Sequence, residues 1–86
     1  MEIHWNEVKN RRLKKVRGVS FEEILIENLI GDLKHPIHPN QHVLLFERKG
    51  YVWVVPYVIE NDGIFLETLF PSRKYTKLYR KGETEK

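Results

Sequence analysis

The chain has 86 residues, a formal net charge of +3 and 41% hydrophobic residues, which suits one small domain with a thin core rather than a disordered chain. It has no cysteine, so disulfides, thiol catalysis and cysteine-ligated zinc are excluded. The sequence shows neither a signal peptide nor an apolar run near the ~20 residues of a membrane helix, and we expect a soluble cytoplasmic protein.

The first predicted elements are a short strand from Met1 to Trp5, where apolar and polar residues alternate, and a helix that runs to about Arg17. Asn6 is a typical N-cap residue for this helix, and Gly18 stands where a C-terminal glycine is common. The helix has a sparse apolar stripe of Val8, Leu13 and Val16.

A second helix is predicted after Ser20, because Ser20 and Glu23 have the spacing of a capping box. Apolar residues continue at helical spacing as far as Leu29, and Gly31 is a suitable end for the helix. The next segment, Asp32 to Gln41, contains two prolines and several polar residues, which predicts a loop.

The pattern then changes to that of β-structure, and a tight turn and an Asn-Asp-Gly hairpin signal separate the predicted strands. The strands are His42 to Glu47, Tyr51 to Ile59, and Ile64 to Phe70. Pro56 lacks a backbone N–H, so we expect a bulge or an unpaired edge at that position of the long strand.

A third helix is predicted from Arg73 to Lys81, with Ser72 as its cap. Its inner face is expected to consist of Tyr75, Leu78 and Tyr79. The element order β-α-α-β-β-β-α predicts one α+β domain over residues 1–86, in which two helices pack across one face of an antiparallel sheet. We expect residues 82–86 to form a frayed tail.

The positive charge is concentrated in two segments, Lys9 to Arg17 and Arg73 to Lys81, which hold eleven of the 15 lysines and arginines. All 12 acidic residues lie outside these segments. This segregation is typical of proteins that bind a polyanion such as RNA or DNA, or an acidic protein. Two solvated helix faces would give the same pattern, and we give the two interpretations equal weight.

Three motifs resemble those of a known family. Trp5, Asn6 and Lys9 precede a basic helix, and the segment Gly18 to Glu23 reads Gly-Val-Ser-Phe-Glu-Glu. Further on, Pro71-Ser72-Arg73-Lys74 follows the last strand, where the family has Ser-Ala-Arg-Lys. Together with the element order, these motifs resemble the BrnT family of type II toxins, within the RelE/ParE-like toxin superfamily, over about residues 1–80.

The resemblance implies a RelE-like fold and a ribonuclease that acts on RNA, alone or at the ribosome, and slows translation. It also implies a cognate antitoxin, often a ribbon-helix-helix protein, that masks the toxin in a hetero-oligomer. The sequence departs from the family at Val16-Arg17, where Lys-His is common, and at Ile59-Glu60-Asn61, where Thr-Glu-Arg is common.

RNA cleavage without a metal requires a base for the 2′-hydroxyl, a cation for the phosphorane and an acid for the 5′-oxygen. Arg73 is the best candidate for the cation, because a guanidinium matches two phosphate oxygens. The alternative for Arg73 is an ordinary surface ion pair with an acid such as Glu67.

Further catalytic candidates are Glu60 as a base, His42 as an acid or base, and Tyr79, with Tyr75, as a proton donor or stacking platform. A polar residue entering a turn is the simpler reading of Glu60, and core packing is the simpler reading of the tyrosines. Candidate phosphate contacts are Lys9, Arg12, Lys15, Lys74 and Lys77.

His35, His38 and His42 lie within eight residues, but their spacing matches no standard zinc pattern. We therefore predict no metal site, and no cofactor is expected because there is no glycine-rich phosphate loop. Two alternatives to a ribonuclease remain: a non-catalytic module that binds RNA or a protein, and a toxin with another target such as DNA gyrase.

Overall fold

The computed structural model describes residues 2–35 and 37–84, and within them the chain forms an α+β domain with three helices and six strands. The helices are α1 (Glu7–Arg17), α2 (Phe21–Leu25) and α3 (Arg73–Thr84). The strands are β1 (Glu2–Trp5), β2 (Asn28–Lys34), β3 (Gln41–Arg48), β4 (Tyr51–Glu60), β5 (Gly63–Leu66) and β6 (Phe70–Pro71).

The predicted caps of the first two helices are confirmed. The Asn6 side chain accepts a hydrogen bond from the Lys9 N–H at 2.9 Å, and Gly18 ends α1 with a φ of 80°. The Ser20 hydroxyl accepts from the Glu23 N–H, while the Glu23 carboxylate accepts from the Ser20 N–H. These bonds satisfy N–H groups that helix geometry leaves unpaired.

The sheet is open and mixed, with strand order β1-β5-β4-β3-β2, and β6 pairs with β4 beyond the end of β5. β3 and β4 are antiparallel along their whole length, from Gln41 opposite Val58 to Arg48 opposite Tyr51. β1 is parallel to β5, with Ile3 beside Ile64. The prediction of a wholly antiparallel sheet is therefore wrong at this edge.

The segment after α2 differs most from the prediction. α2 ends at Leu25, and residues Asn28–Lys34 form the edge strand β2, with Asp32 opposite Leu44. Leu25 and Leu29 are four residues apart, a spacing that fits both a helix and a strand of period two. Pairing with β3 decided between the two, and the predicted loop begins only after Lys34.

Successive residues of a strand point to opposite faces of the sheet, and the helices divide between those faces. On one face, here called the α1 face, α1 and α2 pack on the sheet as predicted. The core on this face contains Leu13, Val19, Phe21, Ile24, Phe46, Val55, Tyr57, Ile64, Leu66 and Leu69.

On the other face, here called the α3 face, Tyr75 and Tyr79 pack against the sheet residues Leu45, Val52 and Val54. The prediction that Leu78 belongs to this inner face is wrong, because 56% of the residue is exposed. α3 is also longer than predicted, since it continues through Thr84. Of the predicted tail, residues 85 and 86 lie outside the described residues.

The stripe predicted for α1 is also wrong, because Val8 and Val16 are each 73% exposed. Leu13 is buried, and the second buried residue of α1 is the polar Asn10. A single leucine therefore anchors the helix by apolar burial, and Asn10 anchors it by hydrogen bonds.

The predicted strand from Ile64 to Phe70 is divided into β5 and β6, and Pro56 of β4 lies beside the break. Pro56 stays in register with Val43 of β3, so β4 has no bulge there. Its carbonyl accepts from the Glu67 N–H, which shows that the missing N–H faces the gap between β5 and β6. The expected unpaired edge is thus present.

None of the helices in the described part of the chain is long and apolar enough to cross a membrane.

Candidate functional site

The four predicted catalytic residues do not converge on one site. Arg73 is the first residue of α3 and follows β6, where Pro71 pairs with Trp53 near the start of β4. Glu60 is the last residue of β4, about 23 Å from Trp53 at ~3.3 Å per residue of strand. Arg73 and Glu60 are therefore at opposite ends of β4.

The remaining two candidates are on opposite faces of the sheet. The His42 ring stacks on the Tyr57 ring of the α1 face, with the ring centroids 5.1 Å apart. Tyr79 packs into the core of the α3 face. Of the four candidates, only Arg73 and Tyr79 share an element, and they are six positions apart in α3, which is about 9 Å along the helix axis.

The predicted phosphate contacts form two separate surfaces. On α1, Arg12 and Lys15 are exposed and Lys9 is half-buried. On α3, Arg73, Lys74 and Lys77 are exposed, and these three residues are here called the α3 basic surface. Because α1 and α3 cover opposite faces of the sheet, one short RNA segment cannot lie flat on both surfaces.

The α3 basic surface is held rigidly on the sheet by hydrogen bonds to Val52 of β4. The Val52 N–H donates to the buried Thr76 hydroxyl at 2.8 Å, and the Val52 carbonyl accepts from the Ser72 N–H at 2.8 Å. The Thr76 hydroxyl in turn donates to the Ser72 carbonyl at 2.6 Å. Sequence reasoning missed Thr76, since a lone threonine in a basic helix gives no signal of burial.

The part of the α1 face that α1 and α2 leave open forms a groove of about 790 Å³. Its walls and floor are mostly apolar, and four carboxylates border it. The lining residues are Ile3, Leu25, Glu27, Leu29, Asp32, Leu44, Phe46, Tyr57, Ile59, Glu60, Asn61, Asp62, Gly63 and Ile64. Sequence reasoning missed this groove, because its residues come from five strands and the segments that connect them.

A polar cluster lies on the β2 side of the groove, where Tyr57 reaches Asp32. The Tyr57 hydroxyl donates to the Asp32 carboxylate at 2.8 Å, and His42 Nδ1 lies 3.8 Å from the same carboxylate oxygen. Burial, and secondarily the bond to Asp32, raises the pKa of Tyr57 to about 12. A proton donor with so high a pKa stays protonated at neutral pH, so this cluster fixes Tyr57 in place rather than activating it.

Two of the other histidines, His35 and His38, have structural contacts in the loop before β3. His35 Nδ1 accepts from the Ile37 and His38 N–H groups, both at 3.1 Å, and the rings of His35 and His38 are 4.8 Å apart. Within residues 2–35 and 37–84, the one grouping with three potential metal-ligand side chains lies elsewhere. It consists of Glu2, His4 and Asp62 at the β1 edge, on the surface.

Comparison of the chain with known proteins gives no match to a family model, to a curated sequence or to a solved structure.

Proposed function

We propose that this chain is the toxin of a type II toxin–antitoxin system, a BrnT-like protein with a RelE-like fold that acts on RNA in the cytoplasm. The observation that carries this proposal is the α3 basic surface: three exposed cations on one rigidly anchored helix, in a segment without any acidic residue. An anchored row of cations without competing carboxylates is suited to a phosphate backbone.

The α+β architecture is compatible with this proposal. Two helices pack on one face of the sheet and the C-terminal helix packs on the other, so the Ser-Arg-Lys motif at the start of α3 is outside the α1 face. In the proposed arrangement a cognate antitoxin covers the basic surface until the toxin is released.

Arg73 is the proposed catalytic cation. Its exposed guanidinium would bind two phosphate oxygens and stabilise the charge that develops on the phosphorane. Lys74, the next residue, and Lys77, one turn further along α3, would hold the flanking phosphates. Glu60 and His42 are too far from Arg73 to act on the same phosphate.

A second candidate function is favoured by this separation of the predicted catalytic residues. A protein that uses the α3 basic surface to bind RNA without cleaving it requires the cations but neither a base nor an acid. The two functions differ in one observable, which is cleavage of the bound RNA.

The decisive experiment uses the purified chain, Arg73→Ala and a matched control, Lys34→Ala, which removes one exposed cation from β2. Each protein is incubated in chelator with bulk cellular RNA, with and without ribosomes, and binding to a short single-stranded RNA is measured at two salt concentrations. The loss of one phosphate contact should reduce the salt dependence of binding for Arg73→Ala.

Cleavage that Arg73→Ala loses and Lys34→Ala retains would support a metal-independent ribonuclease. Binding that weakens in Arg73→Ala without cleavage by any protein would support the binding module. If the two variants cannot be distinguished in either assay, Arg73 has no role in RNA recognition and the proposal is wrong.

A further inference from the structure

The groove on the α1 face is chemically unlike the rest of this basic protein. Among the described residues that line it are four carboxylates and no lysine or arginine. Ile3, Leu29 and Ile59 of its walls are 43%, 54% and 52% exposed. Such an open apolar strip on a sheet face is typical of a surface that another protein element covers.

The carboxylates lie towards the two ends of the groove. On the β2 side lie Asp32 and Glu27, and Glu27 is already paired with Arg48 at 3.0 Å, so Asp32 provides the negative charge there. Glu60 and Asp62 flank the turn between β4 and β5. The centre, between these pairs, contains the apolar residues Leu44 and Ile64 together with the Tyr57 ring. RNA is repelled by this charge distribution, and a segment with cations at both ends and an apolar middle is attracted to it.

The hydrogen bonding of the strands under the groove restricts the conformation of a bound partner segment. The strands below it already exchange their backbone hydrogen bonds within the sheet, so they offer side chains and no free backbone to a partner lying on the face. An occupant must therefore satisfy its own backbone groups, which a helix does and an extended segment does not. α1 and α2 cover the neighbouring part of the same face in this way.

The width of the sheet sets the length of that helix. Four interstrand spacings separate β1 from β2, which is about 19 Å at ~4.8 Å per spacing. A helix rises 1.5 Å per residue, so about 13 residues are needed to cross the groove.

We infer that this groove is the docking site for a basic amphipathic helix of a protein partner, about 13 residues long, with lysines or arginines at both ends of an apolar stripe. The inference rests on the groove alone and is independent of the proposed action on RNA. It identifies a protein-binding surface on the opposite side of the sheet from the α3 basic surface.

The test uses two synthetic peptides of about 14 residues that share a leucine stripe at i, i+3, i+4 and i+7 spacing. One peptide has two lysines at each end, and the other has glutamates in their place. We expect the lysine peptide to bind the wild-type chain at least tenfold more tightly than the glutamate peptide, by titration calorimetry at low salt.

Protein variants locate the binding. Leu29→Ser removes an exposed apolar wall residue, and Glu60→Gln with Asp62→Asn neutralises one end of the groove. Glu67→Gln is the matched control, because it removes a carboxylate outside the groove. Circular dichroism and thermal unfolding show whether each variant is folded, and the two groove variants serve as independent checks on each other.

We expect the double variant to weaken binding of the lysine peptide about three- to tenfold and Leu29→Ser to weaken it more than Glu67→Gln does. Equal affinity for the two peptides, or equal affinity of the groove and control variants, would overturn the inference. The alternative occupant is a second copy of the chain, which light scattering tests. A homodimer of the wild type that Leu29→Ser dissociates would assign the groove to that second copy instead.

Discussion

The side-chain oxygen of Asn10 accepts a hydrogen bond from the backbone N–H of Phe21 at 2.7 Å, which ties α1 directly to the first residue of α2. Asn10 is 3% exposed, and its amide nitrogen donates to the carboxylates of Glu7 and Glu22. One amide group thus makes two hydrogen bonds between α1 and α2 and a third, to Glu7, within α1.

We therefore expect Asn10→Ala to lower the free energy of unfolding by about 1–3 kcal/mol, because it leaves the buried Phe21 N–H without an acceptor. Denaturant unfolding measures the change. Val16→Ala is the control on the same helix, since Val16 is exposed and its loss should change the free energy by less than about 0.5 kcal/mol. Equal effects of the two substitutions would show that the Asn10 contacts do not stabilise the fold.

Thr76 has a comparable role for α3. Thr76→Val keeps the shape of the side chain but removes the acceptor of the Val52 N–H, so we expect a loss of about 1–3 kcal/mol in the free energy of unfolding. Thr76→Ser retains the hydroxyl and should recover most of this loss. The bond from the Val52 N–H anchors the α3 basic surface, so we also expect faster amide hydrogen exchange at Val52 in Thr76→Val. This measurement reports on the bond itself, whereas the free energy of unfolding reports on the whole domain. Unchanged exchange there would contradict the anchoring role.

The carboxylate of Glu23 makes the free energy of unfolding depend on pH in the acid range. Its carboxylate accepts from Lys14, the larger cause, and from the Ser20 N–H, and these bonds lower the pKa of Glu23 to about 2. Since the folded pKa is below the unfolded value near 4.5, the stabilisation is complete above that value and is lost as the pH falls towards 2. Glutamine at this position keeps an acceptor for the cap without the charge.

We expect the denaturation midpoint of the wild type to fall more steeply than that of Glu23→Gln between about pH 5 and pH 2. Added salt should reduce the difference, because the ion pair with Lys14 is exposed. Parallel pH profiles for the two proteins would show that this carboxylate does not contribute to acid sensitivity.

Gly63 and Gly82 provide a matched pair of substitutions with opposite expected signs. A β-carbon on Gly63 would overlap the Glu2 backbone, whereas one on Gly82 meets nothing within 4 Å. Gly63→Ala should therefore destabilise the protein by about 1–3 kcal/mol by separating β1 from β5. Gly82→Ala, in α3, should stabilise it by up to about 1 kcal/mol. Thermal unfolding distinguishes these signs, and a neutral Gly63→Ala would mean that β1 moves away without cost.

Tyr57 should titrate at about pH 12 in a spectrophotometric titration, since burial, and secondarily Asp32, raises its pKa to about 12. Tyr57→Phe should remove the ionisation step near that pH. The bond to Asp32 contributes stability below the unfolded pKa of about 10, and this contribution is lost as the pH rises through about 12. A step that remains in Tyr57→Phe would assign the high pKa to another tyrosine.

Local sequence patterns were sufficient for the features whose cause is local. The Asn6 cap, the Gly18 end and the Ser20–Glu23 capping box all involve residues within four positions of each other, so their spacing predicts their hydrogen bonds. The uninterrupted β3–β4 pair also follows from a local pattern, because its strands are apolar and a tight turn joins them.

Long-range contacts decided the rest. The apolar residues from Leu25 to Leu33 fit both the helical period and the strand period of two. Backbone pairing with β3 makes Asn28–Lys34 a strand. Val8 and Val16 are apolar and are expected in the core from the sequence, but both are exposed. The polar Asn10 is buried beside Leu13 because its hydrogen-bond partners are on α2.

The sequence by itself therefore determined the helix caps, the α+β class and the two basic segments, because each depends on neighbouring residues or on composition. Only the tertiary structure decided which face each helix covers, that His42 and Tyr79 lie on opposite faces of the sheet, and that an acidic apolar groove is opposite a basic helix. These features arise from contacts between residues tens of positions apart, and a spacing rule has no information about such pairs.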